Sequence, residues 1–195
     1  MLPKSFLEMQ QMFQSLPGVG KKTAERYTYY MLTRGESDVK HLKMTLDEFY
    51  NNITTCKICN IMTDKEVCPV CSDESREDSL LCVVENSKDA YAIEATRQYE
   101  GKYFILGGAI SPSKGIMPEN LKIDELKELA KNKKEIIIAT NPTIDGEITS
   151  AYLAKVLYND NIIISKLAQG IPIGGHVEYA DQITLSRSIK QRIKM

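Results

Sequence analysis

No stretch of this 195-residue sequence approaches the roughly 20 consecutive apolar residues that a membrane span requires. The start lacks a secretory pattern as well, because Met1–Gln14 sets Lys4 and Glu8 among scattered apolar residues. A soluble, intracellular protein is the expectation. No GxxxxGK[ST] loop is present, which argues against nucleotide hydrolysis. Histidine is scarce: His41 and His176 are isolated, neither has a Cys or Ser placed to suggest a triad, and both read as surface residues. There are no internal repeats and no low-complexity tracts. With 43% apolar and 26% charged residues the chain is globular in composition and long enough to fold without disulfides.

The net charge of −1 says nothing about partners, but its distribution does. Residues 1–34 hold five cations, Lys4, Lys21, Lys22, Arg26 and Arg34, against Glu8 and Glu25. The last ten residues hold Arg187, Lys190, Arg192 and Lys194 with no acid. Basic ends around an acidic middle suit contact with a polyanion, or simply a solvated surface.

Phe6, Met9 and Phe13 recur at helical spacing, Leu16–Gly20 breaks the pattern, and Lys21–Thr33 resumes it with Ala24, Tyr27 and Met31 on one face. Leu46, Phe49 and Ile53 predict a further short helix. After the cysteine-rich stretch, Asp73–Asp78 reads as a polar linker. The pattern then alternates. Strands are predicted at Leu80–Glu85, Tyr103–Leu106, Glu135–Thr140 and Ile162–Ser165, with helices at Ser87–Tyr99, Ile123–Ala130 and Ile148–Leu157. Such alternation implies a mainly parallel sheet covered on both faces. Gly107-Gly108 and Gly170–Gly175 read as tight loops at the sheet edge.

Three groups of residues carry chemistry. Cys56-x-x-Cys59 and Cys68-x-x-Cys71 aim four thiolates at one point, a tetrahedral S4 shell that suits zinc and leaves no position open for water or substrate. One structural Zn²⁺ per chain is the expectation; disulfides, redox thiols or an iron–sulfur cluster are the alternatives. Cys82, in an apolar strand, reads as a small buried residue. In Leu16-Pro-Gly18-Val-Gly20-Lys21-Lys22-Thr-Ala-Glu-Arg26 a GxG turn opens onto a helix N-terminus with free N–H groups, flanked by three cations. That arrangement binds phosphate without reading base sequence, or serves as a plain helix–helix connector. Glu85, Asp89, Asp145 and Glu147 fall near the carboxyl ends of predicted strands. There they would converge on Mg²⁺, or merely favour helix N-termini.

In order and in detail these parts resemble the RecR family of bacterial recombination mediators over nearly the whole chain. The likeness rests on LPGVGKKTAER (16–26), CKIC and CPVC (56–71), LCVVE (81–85), LGGAISP (106–112), ATNPTIDGE (139–147) and GIPIGGHVEYAD (170–181). It implies an α+β multidomain chain: a helix-hairpin-helix region over 1–54, a C4 zinc finger over 55–72, a Toprim-like α/β domain over 79–175 and a short C-terminal extension over 176–195. It further implies a non-enzymatic, cytoplasmic, nucleoid-associated protein. Such a protein binds single-stranded, double-stranded and gapped DNA and acts with RecO, in many bacteria also RecF. It promotes loading of RecA on DNA coated by single-strand-binding protein, and it assembles as a ring-like homotetramer.

By motif, Lys22 and Arg26 match DNA-contact positions, the four cysteines match the zinc ligands, and Glu85 and Asp89 match acids implicated in contact with RecO. Toprim enzymes usually carry Asp-x-Asp after the third strand, where this chain has Asn141-Pro142-Thr143. That departure argues against phosphoryl-transfer chemistry. A Mg²⁺-dependent Toprim nuclease built on the four acids is the competing reading. His176 stands where an acid is expected, with Glu178 and Asp181 remaining nearby.

Overall fold

A computed structural model of the chain describes residues 1–193. Lys194, counted above among the terminal cations, lies outside them. The chain forms two compact units, Met1–Ile53 and Thr54–Met195.

The first unit is helical. Helix α1 (Lys4–Gln14) follows Pro3, ends at Ser15, and is separated from α2 (Lys21–Thr33) by a turn in which Gly18 adopts φ +77°. Phe6 meets Tyr29 with ring centroids 4.8 Å apart, and Phe13 meets Tyr27 edge-on at 5.7 Å. The buried face of α2 is Ala24 and Thr28 rather than the predicted Ala24, Tyr27 and Met31. Thr28 can be buried because its hydroxyl donates to the Ala24 carbonyl at 2.9 Å, which leaves no polar group unpaired. Tyr27 remains 38% exposed. The short helix expected near Leu46 is a 17-residue helix, α3 (Glu36–Asn52), none of whose residues is buried. Glu36 and Asp38 lie in its first turn, where they complement the helix dipole.

The second unit begins with the cysteines. Short strands β1 (Thr54–Thr55) and β2 (Met62–Thr63) pair antiparallel around the first CxxC, and α4 (Pro69–Ser72) carries the second. Then follow β3 (Glu77–Val84), α5 (Ser87–Glu94), β4 (Gly101–Ile105), α6 (Ile123–Ala130), β5 (Glu135–Ile138), α7 (Ile144–Val156), β6 (Ile163–Lys166) and α8 (Gln182–Lys190). The sheet order is β4-β3-β5-β6 and every pairing is parallel.

Strand alternation divides the core. Leu81, Val83, Phe104, Ile136 and Ile138 pack with Leu126 of α6 and Leu153 of α7. Cys82, Val84, Tyr103, Ile105 and Ala139 pack on the opposite face with Ala90 of α5 and with Cys56, Cys59, Ile61 and Cys68. The cysteine knuckle is thus one of the layers covering the sheet.

Three predicted boundaries move. The expected linker Asp73–Asp78 is anchored: Arg76, 15% exposed, bonds Glu94 and the Gly101 carbonyl, and β3 starts at Glu77. Helix α5 stops at Glu94 instead of running to Tyr99, because the chain turns through Arg97 at φ +55°. Helix α7 starts at Ile144, earlier than Ile148, because the Thr143 hydroxyl accepts the Gly146 N–H at 3.1 Å as an N-cap. Asp145 and Glu147 therefore lie in the first turn of a helix rather than in a loop.

Candidate metal centre and nucleic-acid interface

The two CxxC turns close on one another. All four Sγ atoms of Cys56, Cys59, Cys68 and Cys71 lie within 4.8 Å of each other, and three of these residues are buried. A tetrahedron with Zn–S bonds of about 2.3 Å has S···S edges of about 3.8 Å. Cys59 Sγ and Cys68 Sγ are 3.6 Å apart, which encloses a single ion and is far too long for a disulfide. Backbone amides help to stabilise the sulfurs: Cys68 N–H points at Cys56 Sγ at 3.3 Å and Cys71 N–H at Cys68 Sγ at 3.4 Å.

Burial opposes ionisation of Cys56, but the amides of Cys68, Cys59 and Ile58 outweigh it and draw that thiol down. Cys59 is pushed up, first by its hydrogen bond with Cys71 and then by burial. Four thiols packed this closely cannot all ionise without a cation between them, and Zn²⁺ supplies that charge. The four cysteines form a structural zinc site. Cys82 belongs to the same core, and burial alone pushes its thiol up to about 12.

In the first unit, no side chain caps the start of α2 among the described residues, so the amides of its first turn face outward. Gly18 needs its glycine for the left-handed backbone. Gly20 does not, but a Cβ there would meet nothing within 4 Å, so the approach to the amides is open. Lys21, Lys22 and Arg26 lie around it, the two lysines exposed and Arg26 at the next turn. Lys22 and Arg26 are one turn apart on the same side of α2, and the Arg26 guanidinium sits 5.7 Å from the Tyr27 ring centroid.

The four acids do not gather. Among the described residues no three of them bring carboxylate oxygens within 4.8 Å of one another, so the convergence expected at the strand ends is absent. Each is engaged separately. Glu85 accepts the Asn141 backbone N–H at 2.7 Å and its side-chain Nδ2 at 2.8 Å, tying the end of β3 to the end of β5. Asp89 closes a capping box with Asn86 at the start of α5. Asp145 pairs with Lys114 at 3.3 Å, and the Ser111 and Lys114 side chains hold its carboxyl below the usual range. Glu147 accepts from Lys166 at 2.7 Å, Gln169 at 3.0 Å and Arg187 at 3.0 Å. Those bonds, Lys166 first, hold its carboxyl down at about 2.

Two residues here have roles that spacing alone does not reveal. Asn141 is more than a missing aspartate: its carboxamide donates where a second carboxylate would repel Glu85. Gly146 is required, because a Cβ would stand 1.9 Å from the Asn141 carbonyl oxygen and 3.0 Å from Glu85 Oε1. The ATNPTIDGE motif contained both residues, but not their pairing with Glu85. His176 opens a short 3-10 turn and packs edge-on against Tyr179 at 5.7 Å, while Asp181 caps α8.

No helix among the described residues is long and apolar enough to cross a membrane. Four family models match the chain in succession. They are the helix-hairpin-helix of RecR over residues 7–49, the four-cysteine zinc finger domain of RecR over 53–73, a Toprim domain over 79–168 and the C-terminal part of RecR over 170–193. With a zinc-ready cysteine tetrad and an open basic hairpin set in that order, the chain belongs to the RecR family of recombination mediators in DNA repair.

Proposed function

We propose that the protein is a non-catalytic DNA clamp and loading adaptor. It holds gapped or single-stranded DNA through the α1–α2 hairpin and acts with RecO, and with RecF where one is present, to promote RecA loading in the cytoplasm. The observation that carries this reading is the start of α2. Uncapped amides, an open Gly20 and the cations Lys21, Lys22 and Arg26 form a surface suited to phosphate.

A homotetrameric ring is supported by apolar surface left uncovered in both units. Along α3 and its C-cap Ile53, Val39, Leu42, Leu46, Phe49 and Ile53 repeat at alternating three- and four-residue spacing, and Phe49 is 63% exposed. In the second unit a cleft of about 740 Å³ between α7 and α8 has Ile144, Ile148 and Ile183 on its walls. We assign the hairpin region to 1–54, the finger to 55–72, the Toprim domain to 79–175 and the extension to 176–195.

The Toprim match gives the nuclease reading its one support. Against it stand Asn141 in place of an acid and the engagement of Glu147 by three donors. The test is the native mass of the protein mixed with gapped DNA and RecO, run alongside incubation of the same DNA with Mg²⁺ or Mn²⁺. An oligomer that retains both partners and leaves the DNA intact is expected. A monomer that binds neither, or cleavage abolished by Glu85→Gln, would overturn the proposal.

A further inference from the structure

Both halves of the zinc knuckle are tied to one strand. Strand β4 is the edge of the sheet and pairs with β3 on its inner side only. On its outer side the Ile105 N–H donates to the carbonyl of Cys59 at 2.8 Å, so the first cysteine turn takes the place of a neighbouring strand. The second turn is held by Lys102. Its ammonium donates to the carbonyls of Val70 at 2.9 Å, Cys71 at 3.2 Å and Asp73 at 2.6 Å, which uses all three of its protons.

Helix α4 has four residues, too few to persist alone, and its last carbonyls have no partner within the helix. Lys102 supplies that partner. By the pleat, Lys102 leaves β4 on the side of Phe104, which packs with α6 and α7, whereas Tyr103 and Ile105 pack with the knuckle. Its stem therefore passes around the sheet edge to reach α4. The charge also fits: four thiolates around Zn²⁺ leave two net negative charges, and the ammonium sits at the C-terminal, negative end of α4. A second tie secures the first turn, where Lys122 Nζ donates to Asn60 Oδ1 at 2.6 Å and Asn60 Nδ2 donates to Glu125 at 2.9 Å.

We propose that Lys102 is a positioning residue for the zinc. It holds the Cys68–Cys71 turn in metal-binding geometry, so that retention of the metal and closure of the β4 edge are one event. The knuckle then caps the edge of the Toprim sheet at Ile105, and its loss leaves that outward N–H of β4 unpaired.

The test compares Lys102→Met with Lys133→Met. Lys133 is a buried lysine nearby whose ammonium, among the described residues, bonds Asp78 alone, through the backbone carbonyl and a 3.0 Å ion pair, and makes no hydrogen bond to the knuckle. Zinc transfer from the loaded protein to a chelating dye is expected to be at least tenfold faster in Lys102→Met and near the wild-type rate in Lys133→Met. The thiolate-to-metal absorption of the Co²⁺-substituted protein is expected to shift in the first variant alone. Equal transfer rates in Lys102→Met and wild type, or equal acceleration in both variants, would overturn the proposal. Hydrogen exchange on the wild type keeps the test decisive if Lys102→Met does not fold. Stripping the metal should deprotect the Ile105 amide while Ile136–Ile138 stay protected. Unchanged protection of β4, or equal loss throughout the sheet, would equally refute it.

Discussion

Replacing Asn141 by Asp tests what the carboxamide does beside Glu85. In the wild type, Asn141 Nδ2 donates to Glu85 Oε2 at 2.8 Å. The substitution removes a hydrogen bond to a charged group, about 1.5–3 kcal/mol. It also sets two carboxylates side by side. At about 3 Å and an effective dielectric of 20, two unit charges repel by about 5–6 kcal/mol, an upper bound because both groups are partly solvent-accessible and the new side chain can turn away. The backbone bond from Asn141 N to Glu85 at 2.7 Å remains available. A net loss of about 2–4 kcal/mol is expected, a fall of roughly 5–15 °C in the thermal midpoint for a unit of this size. Mg²⁺ at millimolar concentration should restore most of that loss in Asn141→Asp and leave the wild type unmoved, since only the variant offers two adjacent carboxylates to a hard cation. Thermal unfolding followed by circular dichroism, with and without Mg²⁺, reads both effects. A variant as stable as wild type, or an equal response to Mg²⁺ in both proteins, would refute the reasoning.

Other outcomes follow from the same geometry. Gly146→Ala should destabilise the second unit by about 3 kcal/mol or more, because the added methyl collides with the backbone carbonyl of Asn141; denaturant titration checks it. Glu147 has a folded value of about 2 against an ordinary 4.5. A depressed carboxylate stabilises above its unfolded value and loses that contribution as pH falls toward the folded one. Glu147→Gln should therefore be less stable at neutral pH and show a flatter stability profile between pH 4.5 and 2, measured by unfolding across that range. Leu46→Glu with Phe49→Glu, both on the exposed seam of α3, should lower the native mass without releasing zinc. Cys68→Ser should lose zinc, fold and assembly together, with DNA binding failing as a consequence; a variant that kept fold and oligomer but lost DNA would contradict the structural role of the site.

Local features were legible in the sequence, while the contacts that join them were not. The CxxC spacing specified the metal site because a short turn can hold two thiolates in only a few ways. Helices α2 and α6 run from Lys21 to Thr33 and from Ile123 to Ala130, as their periodicity indicates, since both have strong apolar or charged markers at each end. The start of α3 is weakly marked in the sequence because its N-cap is Gly35, which has no side-chain oxygen to cap the first turn. Thr28 does not look like a core residue in the sequence, yet a hydroxyl that bonds its own helix can be buried like an apolar group. The seating of the knuckle on β4 depends on Cys59 meeting Ile105 and Lys102 meeting Cys71, pairs far apart in sequence that no short-range period records. The four acids looked like one cluster because strand ends converge in a parallel sheet. The structure disperses them because each has a nearer partner in Asn141, Asn86, Lys114 or Lys166.

The central claim, that the hairpin holds DNA through its phosphates, is tested most directly by measuring gapped-DNA affinity against salt for the wild type and for Lys22→Ala with Arg26→Ala. Wild-type affinity should fall steeply and linearly on a log–log plot. The double variant, with zinc content and native mass unchanged, should bind at least tenfold more weakly, with a slope shallower by about 1.4–1.8 for the two phosphate contacts removed. Equal affinity and equal slope in the two proteins would contradict it.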